Sequence, residues 1–277
     1  MLNKGAGISA IVAAITLGFC NSAAAEEAAA GSKVSGSFGL DFQSHFISYG
    51  ADVWGGGTEF FGSQHTTFVY MDIGIELPEG WAMNFGAWSD INNNAPESDS
   101  VGGDIQEIDV YGGVSYSTGP MSFGLTYQEW NYGGSTAERI LDLTAGFDDS
   151  SLWGGGFALN PSLTAHFRVG SDSGAEEGQV IVLAFGPGFE AGPVSFGVPI
   201  AFGFVSSEYY GPTADSGLGY STIGLNASTP LSFIPAAYGA WSATTGVNYY
   251  ATDADVIPGN IDDEDFTTGF VSLGLSF

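Results

Sequence analysis

The chain has little chemistry of the reactive kind: one cysteine, Cys20, three histidines and four basic residues in 277. Cys20 falls inside an N-terminal stretch where Lys4 gives a positive start, Ile8 to Phe19 an apolar run and Ala23-Ala24-Ala25 an A-x-A cleavage site, which together read as a secretory signal. Residues 1–25 are therefore expected to be a signal peptide and residues 26–277 the mature domain. Bulky Phe19, directly before Cys20, speaks against a lipoprotein signal. With the cysteine gone, the mature chain has no thiol for catalysis or for a disulfide.

Long apolar runs are also missing. No stretch after the signal offers the roughly 18 unbroken apolar residues of a spanning helix, so a helical membrane protein is not expected. Positive charge is scarcer still, with 4 Lys+Arg against 31 Asp+Glu and a formal charge of -27. Nucleic acid is excluded as a partner, because its phosphates would be repelled. Yet 44% of residues are hydrophobic and 14% aromatic, too many for a disordered acidic tail. His45, His65 and His166 have no metal-like spacing. The nearest approach to a surface lipid hydrolase is His65, two residues after Ser63, and no lipase-type motif surrounds that pair. No catalytic residue, metal or cofactor is expected.

What the chain does have is alternation. Val271, Leu273, Leu275 and Phe277 share one face of a C-terminal segment, and Ser272, Gly274 and Ser276 the other. Met121, Phe123, Leu125 and Tyr127 alternate in the same way with Ser122, Gly124, Thr126 and Gln128. A strand points successive side chains to opposite faces, so each segment has one greasy face and one polar or small one. About twelve such segments can be counted, starting near Val34, Phe68, Trp81, Ile108, Met121, Ile140, Leu163, Val180, Val194, Gly219, Ala237 and Thr267.

A water-soluble sandwich would alternate too. The connections argue otherwise, because the odd ones are mostly long and acidic or Gly-rich, as in Tyr49 to Gln64 and Thr252 to Asp265, while the even ones are mostly tight, as in Pro78-Glu79-Gly80. Long outer loops and short periplasmic turns produce that asymmetry in an all-β, closed antiparallel transmembrane β-barrel. One even connection, Asp148 to Pro161, is long, and leaves room for a further strand around Trp153 to Leu159. Trp81, Tyr127, Tyr249 and Phe277 suit interfacial girdles.

Parity places Asp41, His45, Asp72, Glu76, Asp90, Glu107, Asp109, Asp142, His166 and Arg168 on the face opposite the apolar one, with Phe68, Tyr70, Trp88, Tyr111, Trp130 and Tyr132. Asp148, at a strand end, joins the acidic set. These are the candidate lumen-lining residues. They fit a cation-attracting channel, with the aromatic faces able to hold organic cations, and they fit equally a plug of hydrogen bonds and ion pairs. The acidic loop from Asp253 to Asp265 lacks the ordered EF-hand spacing and is expected to be a solvated outer loop.

Three stretches resemble the TorF-type porin family of proteobacterial outer-membrane proteins. Ser44-His45-Phe46-Ile47-Ser48-Tyr49-Gly50 is similar to that family's S-D-Y-x-x-R-G segment, with His45 and Tyr49 where the family has an acid and an arginine. Trp88-Ser89-Asp90 and Glu107-Ile108-Asp109-Val110-Tyr111-Gly112-Gly113 are similar to its W-x-S/D and E-x-D-x-Y-x-G stretches. The resemblance covers about the first half of the mature chain, and implies a barrel of the Gram-negative outer membrane with a porin function. The expected activity is passive passage of small, preferentially cationic solutes. A non-conducting barrel that is structural, or works through its loops, stays open. The expected partners are outer-membrane lipids and the barrel-assembly machinery, engaged through the terminal strand ending in Phe277.

Overall fold

The computed structural model describes residues 33–55, 60, 64–96, 99–153, 157–172, 174–260 and 262–277, so the expected signal peptide lies outside the described residues. In chain order the strands are β1 (Val34–Gln43), the short β2 (Ile47–Ser48) and β3 (Ala51–Asp52), β4 (Thr66–Glu76), β5 (Trp81–Ile91), β6 (Ile105–Thr118), β7 (Met121–Tyr132) and β8 (Thr136–Phe147). Then follow β9 (Ser162–Ser171), β10 (Gly178–Phe185), β11 (Gly188–Ala191), β12 (Val194–Gly197), β13 (Ile200–Val205), β14 (Gly217–Pro230), β15 (Ala240–Thr252) and β16 (Asp265–Ser276).

All ladders are antiparallel. β1 pairs with both β4 and β16, and β14 pairs with both β13 and β15, so the sheet closes on itself. Gly186-Pro187 bends one stave into β10 and β11, and Val198-Pro199 bends the next into β12 and β13. Proline has no N–H to give the ladder, but its carbonyl still accepts: Val198 N–H donates to Pro187 O (2.8 Å) and Gly224 N–H to Pro199 O (2.8 Å). Counting each bent stave once gives a closed 12-strand antiparallel barrel. The seam holds to the last residue, where Gly36 N–H donates to Phe277 O (2.8 Å) and Phe277 N–H to Gly36 O (3.0 Å).

The long connection has its own explanation. Among its described residues there is no strand; Ser150–Trp153 form a single helical turn, α1, with the Ser150 N–H on Asp148 Oδ1 (3.0 Å). Asp149 then holds the chain's return, accepting the N–H groups of Leu159 and Asn160, each at 2.9 Å. Leu159 O in turn accepts the Gly186 N–H (2.8 Å) at the bend of the β10–β11 stave. The extra length therefore covers that bend and adds no stave.

Every stave carries a large apolar residue exposed on the outer wall, from Leu40 on β1 through Leu125 on β7 to Val271 on β16. Water would not tolerate so continuous an apolar belt on a monomer, whereas hydrocarbon requires it and also requires a ring without edges. The barrel is thus built to cross a membrane with strands; no helix among the described residues is long and apolar enough to do so. Trp81 and Phe277 are exposed at the short-turn end, and Tyr249 is exposed near the long-loop end. Tyr127, expected in a girdle, instead sits in the middle of β7, facing out.

Candidate functional site

The interior is where the barrel departs from a simple tube. After β1 the chain turns inward, and the pair β2–β3 forms a miniature hairpin whose turn is Tyr49-Gly50. Both turn residues have positive φ, 49° and 93°, the backbone of a two-residue primed turn. Gly50 has a second reason to be glycine, since a Cβ there would lie 2.5 Å from the Tyr220 ring. Tyr49 bears the less natural conformation because its side chain is locked, with the hydroxyl 2.5 Å from His166 Nδ1. Burial, then the charge of Asp142, pushes the Tyr49 hydroxyl well above its usual range, so it stays neutral.

Partners from distant parts of the chain hold this hairpin in place. Asn260 donates from Nδ2 to Gly50 O (2.8 Å) and accepts from Asp52 N–H at Oδ1 (3.0 Å). Tyr210 donates its hydroxyl to Tyr49 O (2.8 Å), and Trp54 Nε1 donates to Asp90 Oδ2 (3.0 Å). Phe46 packs its ring on Phe68 and Trp88, at 5.2 and 5.4 Å between centroids. Two other loops reach in from the same end, burying Tyr209 and the pair Val256 and Ile257 against Ile47, Tyr49 and Trp130. The acidic loop expected to be wholly solvated is therefore pinned at its centre.

Beneath the hairpin lie the sequence candidates. Asp142 and His166 are fully buried; His166 Nδ1 is 2.8 Å from Asp142 Oδ1 and its Nε2 2.9 Å from the Tyr209 hydroxyl. Gln128 Nε2 donates to Asp142 Oδ2 (2.5 Å). Arg168 donates from Nε to Glu138 Oε2 (2.7 Å) and from Nη1 to the carbonyls of Tyr209 (2.8 Å) and Glu176 (3.2 Å), with its guanidinium 4.1 Å over the Tyr209 ring. Glu138 was not among the candidates, although it shares a strand face with Asp142 four residues on. Asp90 is sealed by Trp54, Thr66 and Asn92. His45 is buried, with Nδ1 2.8 Å from Ser44 Oγ and its ring stacked near Phe266.

Asp41 is fully buried two residues from the loop end of β1, level with Phe68. Toward the short-turn end the wall is looser, and half-buried Asp72 accepts the Tyr111 hydroxyl (2.6 Å). Tyr70 and Tyr111 lie across Gly39 and Gly86, where a Cβ would come within 1.9 and 2.4 Å of the rings; small residues on the inner face are what make room for them. Glu76 is exposed at the end of β4. Asp148 does not line the interior: it sits in the long short-turn-side connection, capping α1. His65 is exposed beside Phe42, and Ser63 lies outside the described residues.

Cross-strand register interleaves acids with aromatics. One row reads Asp90, Glu107, Tyr132 across β5, β6 and β7. The next reads Trp88, Asp109, Trp130, Glu138 across β5 to β8. Basic residues do not balance them. Arg139 pairs with Asp172 on the surface (3.0 Å), Arg168 is committed to Glu138, and Lys33 is exposed ahead of β1. Among the described residues no group of three His, Cys, Asp or Glu is arranged to hold a metal ion.

No family model and no curated protein matches this chain. Among solved structures it is similar to the NanC porin, with a TM-score of 0.48 and 7% identity, covering 87% of this chain and 98% of that one. It is also similar to a bacterial polysaccharide outer membrane secretin, at 0.45 and 9% over 88% and 97% of the two chains. The translocator domain of the autotransporter NalP from Neisseria meningitidis matches at 0.39 and 12%, over 88% and 87%. Likeness at this level is too distant to bring any property of those proteins to this chain.

Proposed function

We propose that the protein is an outer-membrane barrel that passes small, preferentially cationic solutes through a lumen narrowed by the inserted hairpin. The observation that carries this reading is the inner wall of β5 to β7, where Glu107 and Asp109 stand among aromatic rings with neither arginine free to neutralise them. A wall of one sign concentrates the opposite ion and favours its passage. The stretches that resemble the TorF-type porins support the same reading, since Phe46, Trp88 and Asp90 pack together around the hairpin. A second reading, a closed structural barrel, is favoured by the buried apolar cluster that seats the hairpin.

The test is a reversal potential across a KCl gradient in planar bilayers. Native protein should be cation-selective, and Asp72→Asn with Asp109→Asn should move the potential toward zero. Salt should weaken the preference as the Debye length shrinks from about 10 Å at 0.1 M to about 3 Å at 1 M. Tyr49→Ala, which removes the hairpin's anchor on His166, should raise the conductance. An anion-selective native pore overturns the proposal; silence from both the native protein and Tyr49→Ala establishes the closed barrel.

Orientation follows from the same reading, with the long loops outside the cell and Pro78-Glu79-Gly80 in the periplasm. An epitope inserted after Asn93 should be labelled on intact cells, because a long loop tolerates insertion. Labelling only after the outer membrane is broken would invert the topology. Outer-membrane lipids would then meet the apolar belt, and the assembly machinery the strand that ends in Phe277.

A further inference from the structure

We propose that the protein binds a small primary alkylammonium ion in the cavity between the inserted hairpin and strands β6 and β7. The cavity measures about 70 Å³, with Glu107 and Asp109 as its acidic wall, Phe46, Trp130 and Tyr132 as its aromatic wall, and Ser48 between hairpin and barrel. Val53, 42% exposed, stands at its rim. Asp109 is 3% exposed and lines this space, yet no described residue donates a hydrogen bond to its Oδ1. Buried carboxylate oxygens are almost always given a donor. Neither arginine supplies one, because both are committed elsewhere.

A donor from solution would complete this oxygen, and the walls say what kind. A calcium or magnesium ion needs six or more oxygens, and no group of three acidic or histidine ligands is arranged here. Three aromatic residues instead offer π faces, which attract an organic cation once it is desolvated. An ammonium head carries three donors, enough for Asp109, Glu107 and the Ser48 hydroxyl together. The space exceeds one water, whose share of liquid volume is about 30 Å³, and leaves room for a tail of two or three carbons against Phe46. This site deepens the cation-passage reading, but binding is measured without transport, so the two can fail separately.

The experiment uses the full barrel purified in detergent and titrated at constant ionic strength with propylammonium chloride or with KCl, followed by calorimetry and tryptophan fluorescence. Propylammonium should saturate a single site and potassium should not. Asp109→Asn keeps the shape and removes the charge, and should weaken binding by about tenfold or more, the scale of one charged hydrogen bond. Tyr132→Leu keeps both acids and should weaken it by several-fold, as about 0.5–2 kcal/mol of cation–π attraction converts. Potassium binding as strongly as propylammonium, or Asp109→Asn binding like the native protein, overturns the proposal, as does failure to saturate. Saturable binding in a barrel that never conducts upholds it and removes only the transport reading.

Discussion

Arg168→Met should destabilise the folded barrel by about 3–5 kcal/mol, the usual cost of orphaning one member of a buried ion pair. The partner left behind, Glu138, has 11% of its side chain exposed, and Arg168 itself 8%, so solvent cannot take over the lost contact. The guanidinium also holds two loop carbonyls, Tyr209 O and Glu176 O, and covers the Tyr209 ring. Three loops would lose their anchor together, because Tyr209 in turn touches His166, which touches Tyr49 of the hairpin. Lysine is a poor substitute, since one ammonium cannot span the positions a planar fork reaches at once. Equilibrium unfolding in lipid vesicles gives the number. The double variant Arg168→Met with Glu138→Met should recover most of the loss, because it removes the stranded charge. A single-variant cost below about 1 kcal/mol, the scale of an exposed pair, would show that the pair is solvated in the membrane.

The staves were legible because their signal is local. In Val271 to Phe277 the period of two is written into consecutive residues, and lipid outside against polar groups inside enforces it residue by residue. The parity of Asp109, Asp142 and His166 follows from the same rule, as does that of Glu138, which lies just ahead of the segment counted from Ile140. The extra strand suggested near Trp153 failed for the opposite reason. That segment's path is set by Asp149 and by a bend at Gly186-Pro187, neither of which an alternation pattern registers.

The inward hairpin was not legible, because what decides it is distant in sequence: 210 residues separate Asn260 from Gly50, 161 separate Tyr210 from Tyr49, and 117 separate His166 from Tyr49. Each partner did leave a trace. Tyr209-Tyr210 and Val256-Ile257 are bulky pairs inside otherwise small or acidic loops, the kind of residue a solvated loop has no use for. Composition likewise announced a surplus of carboxylates. Which of them an arginine neutralises became visible only when both arginines had been placed.

Leu273→Arg should cost about 2–3 kcal/mol, and Ser272→Arg, its neighbour, less than about 1. Leu273 is exposed on the outer wall, opposite Leu40 of β1 and Ala243 of β15. It lies four residues from Phe277; at about 3.3 Å per residue and a tilt near 40°, that is roughly 10 Å from the short-turn rim. The apolar band of such a barrel is about 25 Å tall, so Leu273 stands just short of midplane. An arginine there must snorkel toward the headgroups, and that shortens the usual midplane penalty of about 2–4 kcal/mol without abolishing it. Ser272 points the other way and is half-buried, with Asp41 as its cross-strand neighbour. An arginine at that position enters an acidic interior and can pair with a carboxylate across the ladder, which offsets its desolvation. Urea unfolding of both variants in the same vesicles compares the two faces at nearly one depth. Equal costs would mean that the two side chains meet the same medium, and the division between a lipid face and an acidic lumen would fall with that result.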